Sequence, residues 1–176
     1  MVSAFDVAAY ILEKQGEMTT LKLQKLVYFA QAWSLSLEQT PLFDEKIEAW
    51  PNGPVIKDLY DYHRGQQYIS SIADGDSEKL DEDQRVTVDM LLDNYGDKPV
   101  YWLERLSDSD TAWIEARGEL SPIEMSDTEI TMESMVRYYC RGQNSRPIRW
   151  LTTVVRYWKL IVGRGRRLKR NSSALI

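Results

Sequence analysis

The sequence predicts a mainly α, compact single-domain helical bundle with a short extended arm or hairpin near residues 42–50. Apolar residues recur at helical spacing in several separate segments, and Gly, Pro and capping residues separate those segments. The length of 176 residues suits one hydrophobic core. An apolar fraction of 43%, with 6 Trp and 10 Tyr, supplies enough large side chains to fill that core.

Two helices are predicted at the start of the chain. Residues 4–15 carry apolar side chains at helical spacing, and Gly16 ends this run. Thr19 or Thr20 can cap a second helix that continues to about Glu38. Apolar residues occupy nearly all faces of the second helix, so we expect it at the centre of the bundle.

An extended arm follows the second helix. Pro41 ends that helix, and residues 42–50 alternate weakly between apolar and polar side chains. The run Pro51-Asn52-Gly53-Pro54 is typical of a tight turn. Because proline favours the first turn of a helix, we expect a third helix from Pro54 to about Arg64.

Residues 65–80 are rich in Gly, Ser and Asp and are predicted to form a mobile loop. A capping box of Asp81 and Gln84 predicts a helix to Tyr95, and shorter helices are expected at 99–106, 110–117 and 132–140. The predicted core contains nine residues from these elements: Leu23, Leu26, Val27, Ala30, Trp50, Val55, Leu59, Leu91 and Trp113.

Charge divides the chain into two parts. All 27 Asp and Glu lie before Arg141, whereas 10 of the 22 Lys and Arg lie from Arg141 onward. We therefore expect an acidic domain of residues 1–140, with a net charge of −15, and a basic C-terminal helix and tail at 141–176, with +10. The helix of this tail is predicted from Ser145 or Pro147 to about Val162.

The sequence offers no catalytic, cofactor-binding or metal-binding pattern. His63 is the only histidine and Cys140 the only cysteine, too few for a typical zinc site. Nucleotide-binding glycine motifs and the serine-hydrolase elbow are missing from the sequence, and the acidic clusters are typical of solvated surfaces. We expect a non-enzymatic protein without a small-molecule substrate. The N-terminal residues lack the pattern of a signal peptide, which favours a cytoplasmic location.

The string Lys22-Leu23-Gln24-Lys25-Leu26-Val27-Tyr28-Phe29-Ala30 is followed by Pro41-Leu42-Phe43-Asp44, Glu48-Ala49-Trp50 and Gly53-Pro54-Val55. In order and spacing these motifs resemble the Panacea domain of SocA-like antitoxins. The resemblance extends through the Tyr95-Gly96 helix end to Trp113 and covers approximately residues 5–140. It implies a helical domain that neutralises a cognate protein toxin by direct contact.

Two further functions stay open. The basic C-terminal segment could bind nucleic acid or an anionic membrane, and one branch of the family resembles a proteolytic adaptor, which would make a protease a further partner. For toxin binding we select aromatic and turn residues of the arm, with Phe43 expected to be exposed, and two tryptophans of the tail. The predicted contact residues are Phe43, Trp50, Asn52, Val55, Trp150 and Trp158.

Overall fold

The computed structural model describes residues 2–139. Within this range the helices are α1 (Ala4–Gln15), α2 (Thr20–Leu37), α3 (Lys57–His63), α4 (Glu82–Tyr95), α5 (Val100–Asp108), α6 (Thr111–Arg117) and α7 (Met132–Tyr139). The strands are β1 (Met18–Thr19), β2 (Ile47–Trp50), β3 (Gly53–Ile56) and β4 (Tyr68–Ile69), and a 3₁₀ turn spans Ser77–Lys79. The prediction of a compact, mainly α fold is confirmed.

The second helix lies at the centre, as its pattern predicted. Every residue of α2 from Leu23 to Leu35 is buried, and α1, α4, α5, α7 and β3 all pack against it. Such a helix leaves no face for solvent, so the polar side chains on it must find partners inside the protein.

Local capping explains where the helices begin and end. Ser3 and Asp6 form a capping box at α1, and the Gly16 N–H donates to the Leu12 carbonyl at 2.8 Å. Asp81 and Gln84 form the predicted capping box at α4, with bonds of 2.9 and 3.0 Å. These boundaries follow from sequence because the capping groups are neighbours in the chain.

Asp110 joins α6 and α7 to α2. Its carboxylate caps α6 by accepting from the Ala112 N–H at 2.9 Å. It also accepts from the hydroxyls of Tyr28 on α2, at 2.7 Å, and Tyr139 on α7. Burial and the nearby carboxylate raise the pKa of both tyrosines well above the usual value, so their hydroxyls stay protonated as donors.

The arm is an antiparallel hairpin with a third segment beside it. β2 pairs with β3 from Ile47 opposite Ile56 to Trp50 opposite Gly53. On the other edge of β2, the Ala49 N–H donates to the Thr128 carbonyl at 2.9 Å, and the Ile130 N–H donates to the Ile47 carbonyl at 2.8 Å. The segment 128–130 therefore covers an edge that would otherwise expose unpaired backbone.

Three expectations need correction. Pro54 does not start a helix but lies in β3, because pairing with β2 overrides its local preference, and α3 begins at Lys57. Trp50 and Trp113 are half-buried rather than in the core, since they lie at the edge of the hairpin. The predicted loop at 65–80 contains β4 and the 3₁₀ turn, and the Asp76 N–H donates to Asp6 at 2.8 Å.

The other seven residues of the predicted core are buried, in agreement with the sequence. None of the helices within residues 2–139 combines the length and apolar character that a bilayer crossing requires. The helix predicted from Ser145 or Pro147 to about Val162 lies outside the described range, and the predicted boundary between domains at residues 140 and 141 stays a prediction.

Substituting Leu26 with Asp should lower the free energy of unfolding by more than about 4 kcal/mol. Leu26 is fully buried on α2, so the new carboxylate would lose its hydration without a partner. Urea denaturation measures the effect, and Ile114→Asp is the control because Ile114 is 48% exposed on α6. A Leu26→Asp protein as stable as the control would contradict the central position of α2.

Candidate functional site

A groove opens where the hairpin, α3 and the start of α2 meet. Its volume is about 410 Å³, which lies within the range of ligand pockets. None of the side chains that line it is Lys, Arg, Asp or Glu. The lining residues are Thr20, Leu21 and Gln24 of α2, Trp50, Pro51, Asn52 and Val55 of the hairpin, Tyr60 and His63 of α3, and Met125.

Aromatic rings form one wall of the groove. The rings of Trp50 and Tyr60 pack edge to face with centroids 4.6 Å apart, and Tyr60 contacts His63 in the same manner at 5.7 Å. The Trp50 indole N–H donates to Glu48 at 2.8 Å, and the Trp50 carbonyl accepts from the Trp113 indole at 2.9 Å. The side chain and the backbone of Trp50 are thus both fixed before a partner binds. This favours binding because little conformational entropy of Trp50 remains to be lost.

The polar side chains at the inner end of the groove bind one another. The Gln24 Oε1 atom accepts from the Ile56 N–H at 2.9 Å, and Gln24 Nε2 donates to the Ile56 carbonyl at 3.2 Å. Because both backbone bonds fix the amide orientation, Gln24 Nε2 must also be the donor to His63 Nε2, 3.0 Å away. His63 is therefore neutral, in agreement with burial, which lowers its pKa.

Lys25 lies beneath the hairpin turn and holds it. The side chain is fully buried, and its Nζ donates to the Asn52 carbonyl. Burial lowers the pKa of Lys25 to about 8, although Asp108 and Glu104 partly oppose this shift. At neutral pH a buried ammonium group therefore holds the backbone of the turn. The Asn52 side chain is exposed and lies at the rim of the groove.

Gly53 is required at this turn for two reasons. Its φ of +99° lies in the region that favours glycine. A Cβ atom here would clash with Lys25 Nζ and would lie 2.7 Å from Ser107 Oγ. The turn predicted from the sequence is thus also a place where side chains of α2 and α5 lie directly against the hairpin backbone.

The structure brings three of the predicted contact residues together, since Trp50, Asn52 and Val55 all line the groove. The expected exposure of Phe43 is wrong, because its side chain is only 1% exposed. Gln31 binds both the N–H and the carbonyl of Phe43, at 3.2 and 2.7 Å, and so holds this part of the arm against α2. Trp150 and Trp158 lie outside the described residues, and the toxin contacts stay a prediction for all six.

Sequence reasoning missed four important lining residues: Gln24, Tyr60, His63 and Met125. Gln24 carried a usable signal, since a glutamine on a helix expected at the centre of the bundle must satisfy its amide inside the protein. Met125 carried none, because it reaches the groove only through the non-local pairing of residues 128–130 with β2.

A family model described as antitoxin SocA-like, Panacea domain, matches residues 23–116. The chain belongs to this family. The match covers more than half of the chain and extends from α2 through the hairpin to α6, so it includes the groove residues from Gln24 to His63. No curated protein and no solved structure matches the chain. Family membership confirms the resemblance and supports an antitoxin role.

The Lys25 site should make stability depend on pH in a predictable direction. The folded pKa of about 8 lies below the unfolded value of 10.5, so the unfolded chain binds more protons between these values. Stability should therefore rise with pH in this window, by roughly 2 kcal/mol from about pH 7.5 to 9.5. Urea denaturation of the wild type and of Lys25→Met isolates this gain, because other titrating groups are common to both proteins. Equal slopes in the two proteins would contradict the buried ammonium.

Proposed function

We propose that this protein is a non-enzymatic antitoxin that neutralises a cognate protein toxin by direct binding, with the groove at the centre of the contact. Membership of the SocA-like antitoxin family supports the role. The groove is the observation that supports this contact site. Its walls are largely apolar, and hydrogen bonds from α2 fix the hairpin backbone that forms one of them. A cytoplasmic location is part of the proposal.

The surroundings of the groove suit a protein partner better than a small substrate. Met125 at its edge is 63% exposed, and Ile123 in the same segment is 87% exposed. Exposed apolar residues beside a pocket with a fixed aromatic wall have the composition of an interface hot spot. A standard interface of about 1,600 Å² would cover both the groove and these neighbours.

The groove contains little that could perform chemistry. His63 accepts from Gln24, and the Thr20 hydroxyl donates to the Gln66 carbonyl at 3.2 Å. Neither side chain pairs with a base or nucleophile among residues 2–139, and in this range no three His, Cys, Asp or Glu residues are grouped to hold a metal. Binding is therefore the activity that this arrangement supports.

The alternative of nucleic-acid or membrane binding depends on the basic residues from Arg141 onward, which lie outside the described range. The acidic domain itself has 12 cationic and 27 acidic side chains, a balance that repels phosphates. No observation within residues 2–139 favours a proteolytic adaptor over simple masking of the toxin.

Substituting Met125 with Arg should abolish neutralisation without unfolding the protein, because it places a long charged side chain at the edge of an apolar groove. Tyr101→Arg is the matched control, since Tyr101 is also 63% exposed and does not line the groove. The assay co-expresses each variant with the candidate toxin encoded by the neighbouring gene and scores bacterial growth. Full rescue by Met125→Arg, with circular dichroism matching the wild type, would contradict the proposed contact.

A further inference from the structure

We propose that the groove receives one large apolar side chain from a basic segment of the partner, and that the acidic segment 118–129 attracts the cations beside that side chain. The inference rests on the proposed function and specifies the chemistry of the toxin segment. It combines the shape and polarity of the groove with the charge of the surface next to it.

The interior of the groove favours an apolar occupant. The polar atoms of Gln24 bind Ile56 and His63, and the Thr20 hydroxyl is also engaged. A charged group entering there would lose its water and find no opposite charge among the lining side chains. The volume of about 410 Å³ accommodates a tryptophan, phenylalanine or leucine side chain, and the exposed Asn52 can bind the backbone that carries it.

Segment 118–129 is fixed beside the groove. Besides the bond from Ala49 to Thr128, the buried Arg117 donates to the Ala49 carbonyl and to the Glu124 carbonyl, both at 3.0 Å. Arg117 also donates to the Ser121 carbonyl. The segment therefore presents Met125 and Ile123 from a fixed position rather than from a free loop.

Charge around the groove indicates a cationic partner. Segment 118–129 contains no Lys or Arg, and no ion pair joins its carboxylates to a cation within residues 2–139. Two cations contact the segment, and neither pairs with its carboxylates: Arg117 donates to backbone carbonyls, and Lys46 binds Glu48 at 2.9 Å and the Asp127 carbonyl at 3.1 Å. The segment that brings Met125 to the uncharged groove thus carries four exposed carboxylates, which gives an apolar contact with acidic neighbours: Glu119, Glu124, Asp127 and Glu129.

The domain as a whole reinforces this preference. Its net charge of −15 attracts a basic segment from a distance and repels an acidic one. The groove then supplies the short-range contact. Attraction by the carboxylates should act mainly on the association rate, whereas loss of the groove contact should act mainly on dissociation.

A peptide titration tests the proposal on the full chain. The probe is a short synthetic peptide of glycine, lysine and arginine with one central tryptophan. One control peptide has serine in place of the tryptophan, and the other has glutamate in place of every cation. Nuclear magnetic resonance follows the Trp50 indole N–H and the Met125 methyl group, both of which lie at the groove.

We expect saturable shifts at both probes with the basic tryptophan peptide and at least about tenfold weaker binding of either control peptide. Met125→Arg should abolish the shift at Trp50, the probe that this variant retains, and Tyr101→Arg should preserve the shifts at both probes. Shifts of equal size with the acidic peptide, or shifts that do not include Trp50 and Met125, would overturn the proposal.

A second variant separates this inference from the proposed function. It neutralises the segment by four changes, namely Glu119→Gln, Glu124→Gln, Asp127→Asn and Glu129→Gln. Weaker peptide binding, with a smaller dependence on salt than in the wild type, supports the inference. If this variant binds the peptide and neutralises the toxin as the wild type does, while Met125→Arg does neither, the charge inference fails and the groove proposal stands. If Met125→Arg also neutralises the toxin, the proposed function itself fails.

Discussion

The hairpin and the chain that leads to it are hydrogen-bonded to polar side chains of a buried helix, and the rest of the structure depends on these bonds. Backbone that packs against a core must have partners for its N–H and carbonyl groups. On α2, Gln24 binds both backbone groups of Ile56, Lys25 binds the Asn52 carbonyl, and Gln31 binds Leu42 and Phe43. Each buried group left without its partner would cost about 1–3 kcal/mol, so the position of the arm is closely specified.

This arrangement links stability to recognition. The groove uses the hairpin as one wall and α2 as another, and the same glutamine that completes the edge of β3 also orients His63. Lys25 stays buried although its lowered pKa indicates a cost of desolvation. Its bond to the Asn52 carbonyl fixes the turn, and a fixed turn presents Trp50 and Asn52 without further ordering when a partner binds.

Most of the helices could be predicted from the sequence because their signals are local. Apolar periodicity and capping residues such as Gly16 and Asp81 gave α1, α2 and α4 nearly at their observed ends. The hairpin was predicted only in part, because Pro54 suits the start of a helix as well as a strand. Only the pairing of β3 with β2 places Pro54 in a strand. The buried position of Phe43 could not be predicted, because it depends on Gln31 more than ten residues earlier.

The candidate site shows the same division. Trp50, Asn52 and Val55 were accessible to sequence reasoning because they belong to one distinctive turn motif. Tyr60 and Met125 reach the groove through tertiary packing and carried no local signal that distinguishes them from ordinary surface residues. The acidic surface beside Met125 became visible only when residues 128–130 were seen to pair with β2.

Hydrogen exchange of two backbone amides tests most directly whether α2 holds the hairpin and the chain before it. The Ile56 N–H is bound by Gln24, and the Leu42 N–H is bound by Gln31 at 2.6 Å. Gln24→Ala should accelerate exchange at Ile56 by about tenfold to a hundredfold more than at Leu42, and Gln31→Ala should reverse this order. Equal acceleration of both amides in both variants, or none in either, would contradict the account.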